Sequence, residues 1–502
     1  MNLMMLLEMA AQGMGEREAV ICDGDRFTSA QLYQAAGRLS RRIRASGAAH
    51  LSLLDVSSPA VPLALFSAAW AGVPFVPLNY RLTGSELDAL IERVKPVLLI
   101  VGDERADALR GRDGVQVITR SALLAEARTA SGDVPDPDWS AEAEDIAILL
   151  FTSGTTGAPK AAVLRHKHLV SYILGSVEFM GAAESDAALM SVPPYHIAGM
   201  AAVLSSIYSG RKIVQLPSFT PGEWLRLAEK EGITNAFVVP TMLGRIVDEM
   251  EARGVAAPSA LRAVAYGGGK MPLPVIERAM KLFPPTTDFT NAYGLTETSS
   301  TIAVLGPDDH RVAAFSDEPL VKKRLASVGK PLPTVEVQVR DPEGRVLGPN
   351  ERGEIYVRGE QVAGEYAGRG SQLIDGGWFP TRDGGYLDDD GYLFLEGRTD
   401  DVIVRGGENM SPGEIEDVLL EHPAVADVAV VGVPDVQWGE AVAAAVVLKD
   451  DRRASAAELQ EWVKRHLRSS RVPQLVRFER ELPYNETGKL LRRKVRELLK
   501  GA

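Results

Sequence analysis

Cysteine is nearly absent. Cys22 is the only one in 502 residues, which excludes an intramolecular disulfide framework and any multi-cysteine metal site and fits a reducing compartment. Histidine is scarce as well, with seven in all and none at metal-ligand spacing, so no structural zinc site is expected. No run approaches the ~18 to 20 apolar residues that a membrane span needs. The apolar opening from Met1 to Met9 has no basic flank and meets Glu8 too early for a signal segment; it reads as a terminal helix packed on the body. Positive charge is in deficit too. Lys and Arg number 55 against 67 Asp and Glu, a formal charge of -12, and such a chain does not hold phosphate backbones in general, so no nucleic-acid partner is expected. Low-complexity tracts and internal repeats are missing, and 45% of the residues are apolar, so a folded protein with a sizeable core is expected throughout. A cytoplasmic protein with no integral membrane segment is expected, with peripheral membrane contact and a homodimer left open.

What is present first is α/β layering. Short apolar runs alternate with helical patterns: Leu51 to Val56, Ala60 to Ala71, Pro74 to Asn79, a helix from Thr83 to Val94, then a buried strand from Val97 to Val101. The polar, interrupted stretch from Glu104 to Glu142 reads as a surface wrap. Between Val335 and Gly359 the pattern changes to alternating strands, a small antiparallel β unit. After Arg398 a compact α+β block begins, with Ser411-Pro412-Gly413-Glu414 and Ser455-Ala456-Ala457-Glu458 as helix-opening capping boxes. The expected architecture is a large N-terminal domain of several βαβ layers, residues 1–398, followed by a small mobile α+β domain, residues 399–502.

The strongest chemical signal is Thr152-Ser153-Gly154-Thr155-Thr156-Gly157-Ala158-Pro159-Lys160, placed just after the apolar strand Ile146 to Phe151. Glycines allow close backbone approach, hydroxyls and amides can surround phosphate oxygens, and Lys160 adds a cation. It is not a Walker loop, because the spacing differs and no helix starts at its lysine. A second string, Asn291-Ala292-Tyr293-Gly294-Leu295-Thr296-Glu297-Thr298, sets a carboxylate beside hydroxyls, a donor set suited to Mg²⁺ shared with phosphates. Thr381-Arg382-Asp383-Gly384 reads as a tight turn whose carboxylate could accept ribose hydroxyls, and Gly397-Arg398-Thr399-Asp400-Asp401 offers an arginine for sugar or phosphate. Near the end, Asn485-Glu486-Thr487-Gly488-Lys489 sets a lysine on a loop before a basic helix.

Singly these strings are ordinary; in this order they resemble the adenylate-forming superfamily, which includes acyl-CoA synthetases, the adenylation domains of nonribosomal peptide synthetases and firefly luciferase. The resemblance runs from the Pro74 to Arg81 step to Lys489. It implies ATP, Mg²⁺ and coenzyme A as cosubstrates or cofactors, and a carboxylic acid as the group activated. By motif match, Thr152, Ser153, Gly154, Thr155, Thr156, Gly157 and Lys160 would hold the β and γ phosphates. Glu297, with Thr155, would assist the metal, and Thr296 would lie by the α-phosphate. Gly267, Gly268 and Gly269, with Asn291, Ala292 and Tyr293, would line the nucleotide pocket, and Asp383 and Arg398 would serve the ribose. Lys489 matches the lysine that stabilises the adenylation transition state. Asp400 matches the hinge, and Arg405, Gly406 and Gly407 lie toward the CoA side.

The acyl pocket would be lined by Tyr195, His196, Val239, Gly267 and Gly269, an apolar cavity compatible with fatty or aromatic acids. Departures from the pattern are Ala161 where glycine is usual, the absent side chain at Gly269, the unexpected Lys270, and Tyr484 where a basic residue is common. The favoured activity is acid–CoA ligation. One alternative is adenylation for a separate carrier protein, since no carrier motif follows Lys489. The other is nucleotide binding without turnover, disfavoured because Glu297, Asp383, Arg398 and Lys489 are all present.

Overall fold

Helix Ala60–Ala71 is apolar on every side, and a helix of that kind must be enclosed. In the computed structural model, which describes residues 1–129, 137–152, 159–406, 408–450, 452–485 and 490–500, Phe66 and Trp70 of this helix are wholly buried. They join a core formed with the opening helix Met4–Gly13 and the amphipathic helix Ser29–Ser46. Helix Ser29–Ser46 starts where its sequence says. The Thr28 hydroxyl accepts from Gln31 N, the Gln31 side chain accepts from Thr28 N, and Gly47 ends the helix at φ 66°.

The chain forms two compact units. The first comprises Met1–Ala326, Pro331–Glu336 and Arg358–Phe379. One of its sheets contains the parallel run Phe75–Pro77, His50–Leu54, Val97–Val101 and Val115–Thr119, continued on the other side by the antiparallel strands Ile146–Thr152 and Lys160–Arg165. The other contains the neighbouring parallel strands Lys212–Gln215, Ala187–Met190, Asn235–Val238, Ala263–Gly267 and Asp288–Leu295. The expected α/β layering is therefore present, with one correction. The stretch from Glu104 is not a surface wrap throughout, because Val115–Thr119 pairs with Val97–Val101 as the sheet's last strand. Helix Arg120–Arg128 then buries Leu123, Leu124 and Ala127. The strand is short and lies between polar stretches, and its apolar residues split between two cores, Val115 and Val117 on one face and Ile118 on the other, so no clean alternation marks it.

The second unit comprises Ser327–Lys330, Val337–Val357 and Pro380–Ala502. It holds the antiparallel β unit, with Phe379–Leu387 paired to Leu393–Arg398, and the α+β block. There Val425–Asp435 and Gly439–Leu448 pair antiparallel, and Leu475–Glu479 adds in parallel. Both faces of this sheet are covered, which explains its near-continuous apolar runs. Val428, Val430, Val442 and Val446 meet Ile415 and Leu419 on one side, while Ala429, Val431, Ala443 and Ala445 meet Leu482, Val495 and Leu499 on the other. Of the two expected capping boxes, Ser455 with Glu458 forms in full. Ser411 occupies the N-cap position without capping; its hydroxyl is turned to donate to the Glu396 carbonyl at 2.5 Å. Among the described residues, no helix is long and apolar enough to cross a membrane.

Two buried imidazoles sit in the first turn of helix His166–Ser176, one of them joined to the opening helix. Leu3 N donates to His166 Nδ1 at 3.2 Å and Arg165 N to His168 Nδ1 at 3.3 Å. Burial lowers both rings to about 4 from an ordinary 6.5. The unfolded chain thus takes up these protons first. Their contribution is complete above pH 6.5 and is lost as pH falls toward 4. Urea unfolding followed by circular dichroism is expected to show stability falling on the order of 1 to 2 kcal/mol per imidazole by about pH 5, with a shallower slope in His166→Asn.

Candidate active site

Four neighbouring parallel strands deliver the predicted acyl and nucleotide residues to one edge. Ala187–Met190 leads to Tyr195 and His196, Asn235–Val238 to Val239, Ala263–Gly267 to Gly268 and Gly269, and Asp288–Leu295 carries Asn291, Ala292 and Tyr293. The first three sets lie at or past the carboxyl ends of their strands, and Ala292 lies beside Gly267 at the same level of the sheet, where open α/β sheets place ligands. Close approach requires the glycines here. Gly267 pairs with Ala292, and a Cβ on it would come within 2.2 Å of the Ala292 carbonyl oxygen. Gly268 has φ +80°, with Val239 beside it. The Tyr195 ring packs edge-on against Tyr80 at 5.6 Å and tilts against His196 at 4.9 Å. His196 is partly buried at the start of helix Ile197–Ser209, and desolvation lowers it to about 4, so it is neutral near pH 7.

The phosphate-loop string sits between antiparallel strands, with Thr152 opposite Lys160. The string therefore connects two antiparallel strands and not a strand to a helix, in keeping with the absence of a Walker spacing. Ser153, Gly154, Thr155, Thr156 and Gly157 lie outside the described residues. Lys160 begins the returning strand with its ammonium 5.3 Å from the centre of the Tyr366 ring.

Glu297 is buried in a short turn after strand Asp288–Leu295, behind Thr296. Its carboxylate Oε1 accepts the Tyr366 hydroxyl, and its carbonyl accepts Ala363 N at 2.8 Å and Gly364 N at 3.0 Å. The backbone just beyond is strained, with Ser299 at φ 56° and Ser300 at φ 122°. Buried side chains hold it. Thr298 Oγ1 accepts from Leu295 N at 2.9 Å and donates to Ser300 O at 2.7 Å, and Gln361 Nε2 donates to Thr298 O and Thr301 O at 3.1 and 2.8 Å. Gly294 lies under this bend, where a Cβ would meet Ser300 O at 1.8 Å. Tyr366, Glu365, Gln361 and Tyr80 escape sequence reading, because the pairs they make join residues far apart in the chain and no local period marks them.

In the second unit Asp383 and Arg398 are opposite each other on paired strands, Arg398 Nη1 lying 3.1 Å from Asp383 Oδ1 and 3.0 Å from Thr381 O. Asp383 is thus in a strand and not in a tight turn. The positive φ that suggests a turn falls on Arg382, at 60°. Asp400 sits in the single turn Thr399–Asp401, with Arg382 Nη1 3.8 Å from its carboxylate. Arg405 ends strand Ile403–Arg405 with its guanidinium 5.2 Å from the centre of the Trp438 ring, and Gly406 turns at φ 59°. Gly407 and Lys489 lie outside the described residues. Tyr484, the departure noted in sequence, gives its hydroxyl to Asp427 at 2.9 and 3.0 Å, so a neutral donor satisfies that half-hidden carboxylate.

Residues 7–367 match the model for the AMP-binding enzyme, and residues 414–489 match that for the AMP-binding enzyme C-terminal domain. The chain belongs to the AMP-binding enzyme family. Within it, the chain is 33% identical over 488 residues to a feruloyl-CoA synthase of Amycolatopsis sp, covering 95% of each chain. It is 34% identical over 492 residues to a 2-succinylbenzoate–CoA ligase of Geobacillus kaustophilus, covering 96% of this chain and 95% of that one. The O-succinylbenzoate coenzyme A synthetase of Bacillus subtilis in complex with ATP and magnesium ion superposes with a TM-score of 0.83 at 30% identity, covering 99% of both. Family membership accounts for the string order. The individual residue roles rest on the motif match and on the geometry above.

Proposed function

We propose that the chain is an AMP-forming acid–CoA ligase whose acid is aromatic. The acid's carboxylate attacks the α-phosphorus of ATP, the bond to the β-phosphate oxygen breaks, and pyrophosphate leaves. The CoA thiol then attacks the acyl carbon, releasing AMP and a proton. The ligase class follows from the family and from relatives named as CoA ligases. The aromatic preference is carried by one observation: at the carboxyl edge of the sheet the Tyr195 ring packs on Tyr80 and His196, and Val239 follows the neighbouring strand, so ring and apolar surfaces gather there. Both relatives named above carry aromatic acids in their names. His196 enters this pocket as a neutral ring surface rather than a charge.

Glu297 suits Mg²⁺, a hard cation that takes few protein oxygens and keeps water and phosphate ligands. One of its oxygens is held by Tyr366, and among the described residues no side chain donates to the other. When bound, the ion neutralises phosphate charge. The chain's own groups do the rest: Thr152, Lys160 and the string between them hold the β and γ phosphates, Thr296 faces the α-phosphate, Asp383 with Arg398 orients the ribose, and Lys489 meets charge developing at phosphorus.

Residues 399–502 would turn about Asp400 between the two half-reactions, exchanging Lys489 for the Arg405 to Gly407 loop on the CoA side. Asp400→Pro, by fixing φ, is expected to slow thioester formation about ten-fold more than adenylation; equal losses would remove the hinge from Asp400. The function itself is tested by pyrophosphate release across benzoic, cinnamic, short, medium and long fatty acids, with and without CoA. Aromatic acids should give the highest kcat/KM and a CoA-dependent thioester. Preference for a fatty chain would overturn the acid assignment, and no CoA thioester from any acid would overturn the ligase reading.

A further inference from the structure

A carboxylate that accepts a tyrosine hydroxyl is commonly just a satisfied buried acid. The surroundings of Glu297 carry more than that. A single stretch grips this residue at both ends: Ala363 N and Gly364 N donate to its carbonyl, and the Tyr366 hydroxyl to its carboxylate. The same stretch is fixed to the strand that leaves the phosphate loop. Tyr366 pairs with Ala162, Ala367 N donates to Ala161 O at 2.9 Å, and Arg165 holds Glu365 with two bonds of 3.0 and 2.8 Å. The Tyr366 ring meanwhile presents itself to the Lys160 ammonium at 5.3 Å, within reach of a cation–π attraction. One side chain therefore touches both the candidate metal carboxylate and the candidate phosphate lysine, which are 137 residues apart in sequence.

We propose that Tyr366 is a positioning residue that ties the Mg²⁺ carboxylate to the phosphate lysine, its hydroxyl fixing Glu297 and its ring seating Lys160. This rests on the reading of Glu297 as the metal carboxylate. A carboxylate held by one oxygen cannot rotate freely, so its other oxygen would keep one direction in which to hold a bound Mg²⁺. Ordering this group before substrate arrives removes an entropic cost from metal binding. Glu365 and Arg165 act one step further out, by holding the backbone of Tyr366.

The test compares Tyr366→Phe, Tyr366→Leu and Glu297→Gln in the full chain, with manganese(II) as the metal probe. Binding is read by electron paramagnetic resonance in the presence of a non-hydrolysable ATP analogue, and metal-free binding of the analogue by calorimetry. Tyr366→Phe keeps the ring, so its thermal unfolding and metal-free nucleotide affinity should match the parent. Its manganese dissociation constant should rise about ten-fold, the effect of losing one hydrogen bond to a charged group. Tyr366→Leu should in addition weaken metal-free nucleotide binding several-fold, because Lys160 loses its seat. If Glu297→Gln weakens manganese binding while Tyr366→Phe does not, the positioning role is overturned and the metal carboxylate stands. If Glu297→Gln itself leaves manganese binding unchanged, the underlying reading of Glu297 fails and the proposal falls with it.

Discussion

Replacing Lys489 with alanine is expected to lower acid-dependent exchange of labelled pyrophosphate into ATP by about a hundred-fold or more, while the affinity for MgATP stays within about two-fold of the parent. The reason is charge. A carboxylate and a triphosphate are both anions, and bringing them into contact costs most at the point of bond formation, where negative charge spreads over the oxygens of the α-phosphorus. A cation that arrives only at that point stabilises the transition state more than the bound nucleotide, so its loss falls on kcat and not on binding. Lys489→Arg separates charge from shape: a guanidinium keeps the charge but spreads it over a plane, and intermediate exchange is expected. Thioester formation from a supplied acyl-adenylate should survive in Lys489→Ala, since the lysine is assigned to the first half-reaction only. Parent-like exchange in Lys489→Ala would remove this residue from the chemistry.

The fold was legible wherever a local rule decides the element. Ala60–Ala71, Val97–Val101 and the start of helix Ala456–His466 at Ser455 fall where periodicity and capping put them, because each depends on residues within one or two turns. Strand Val115–Thr119 was hidden because its pairing partner, and not its own pattern, makes it a strand. Ser411 departs from its expected box through a partner outside the string: its hydroxyl is oriented to donate to the Glu396 carbonyl, 15 residues away. The candidate site was legible as a set of strings because phosphate and metal chemistry draws on glycine, hydroxyl, carboxylate and lysine at close spacing. The parts that orient those groups were not legible. Arg165 reaches Glu365 across 200 residues and Tyr366 reaches Glu297 across 69, and nothing in either short string marks a partner so distant. Asp383 was identified as a residue but assigned to a turn, since the glycines after it resemble a reverse turn until the partner strand Leu393–Arg398 is known.

Arg492→Ala is expected to destabilise the C-terminal block by about 3 to 5 kcal/mol, the largest loss foreseen for a single side chain outside the chemistry. Arg492 opens the last helix, Arg492–Leu499, and its guanidinium is largely buried. It donates to Glu416 Oε1 and Oε2 at 2.6 and 2.8 Å and to the Val430 carbonyl at 2.6 Å, and its Nε lies 3.5 Å from Asp401. A forked pair of this kind has already lost its water. Removing the arginine alone leaves the Glu416 carboxylate buried with its charge uncompensated, which costs more than the pair ever contributed. Val430 N still donates to Glu416 Oε1 at 2.7 Å, and one amide does not replace a guanidinium. The double variant Arg492→Met with Glu416→Leu removes both charges and fills the space with apolar groups, so it should recover most of the loss. Urea denaturation compares the parent, Arg492→Ala and the double variant. A double variant as unstable as Arg492→Ala would show that the packing around the helix, and not the stranded charge, decides the outcome. Asp401 adjoins the proposed hinge residue and also meets Arg496 Nη2 at 3.3 Å. Arg492 therefore anchors the helix Arg492–Leu499 to Asp401, beside the proposed hinge, and its loss is expected also to slow both proposed half-reactions below the unfolding temperature.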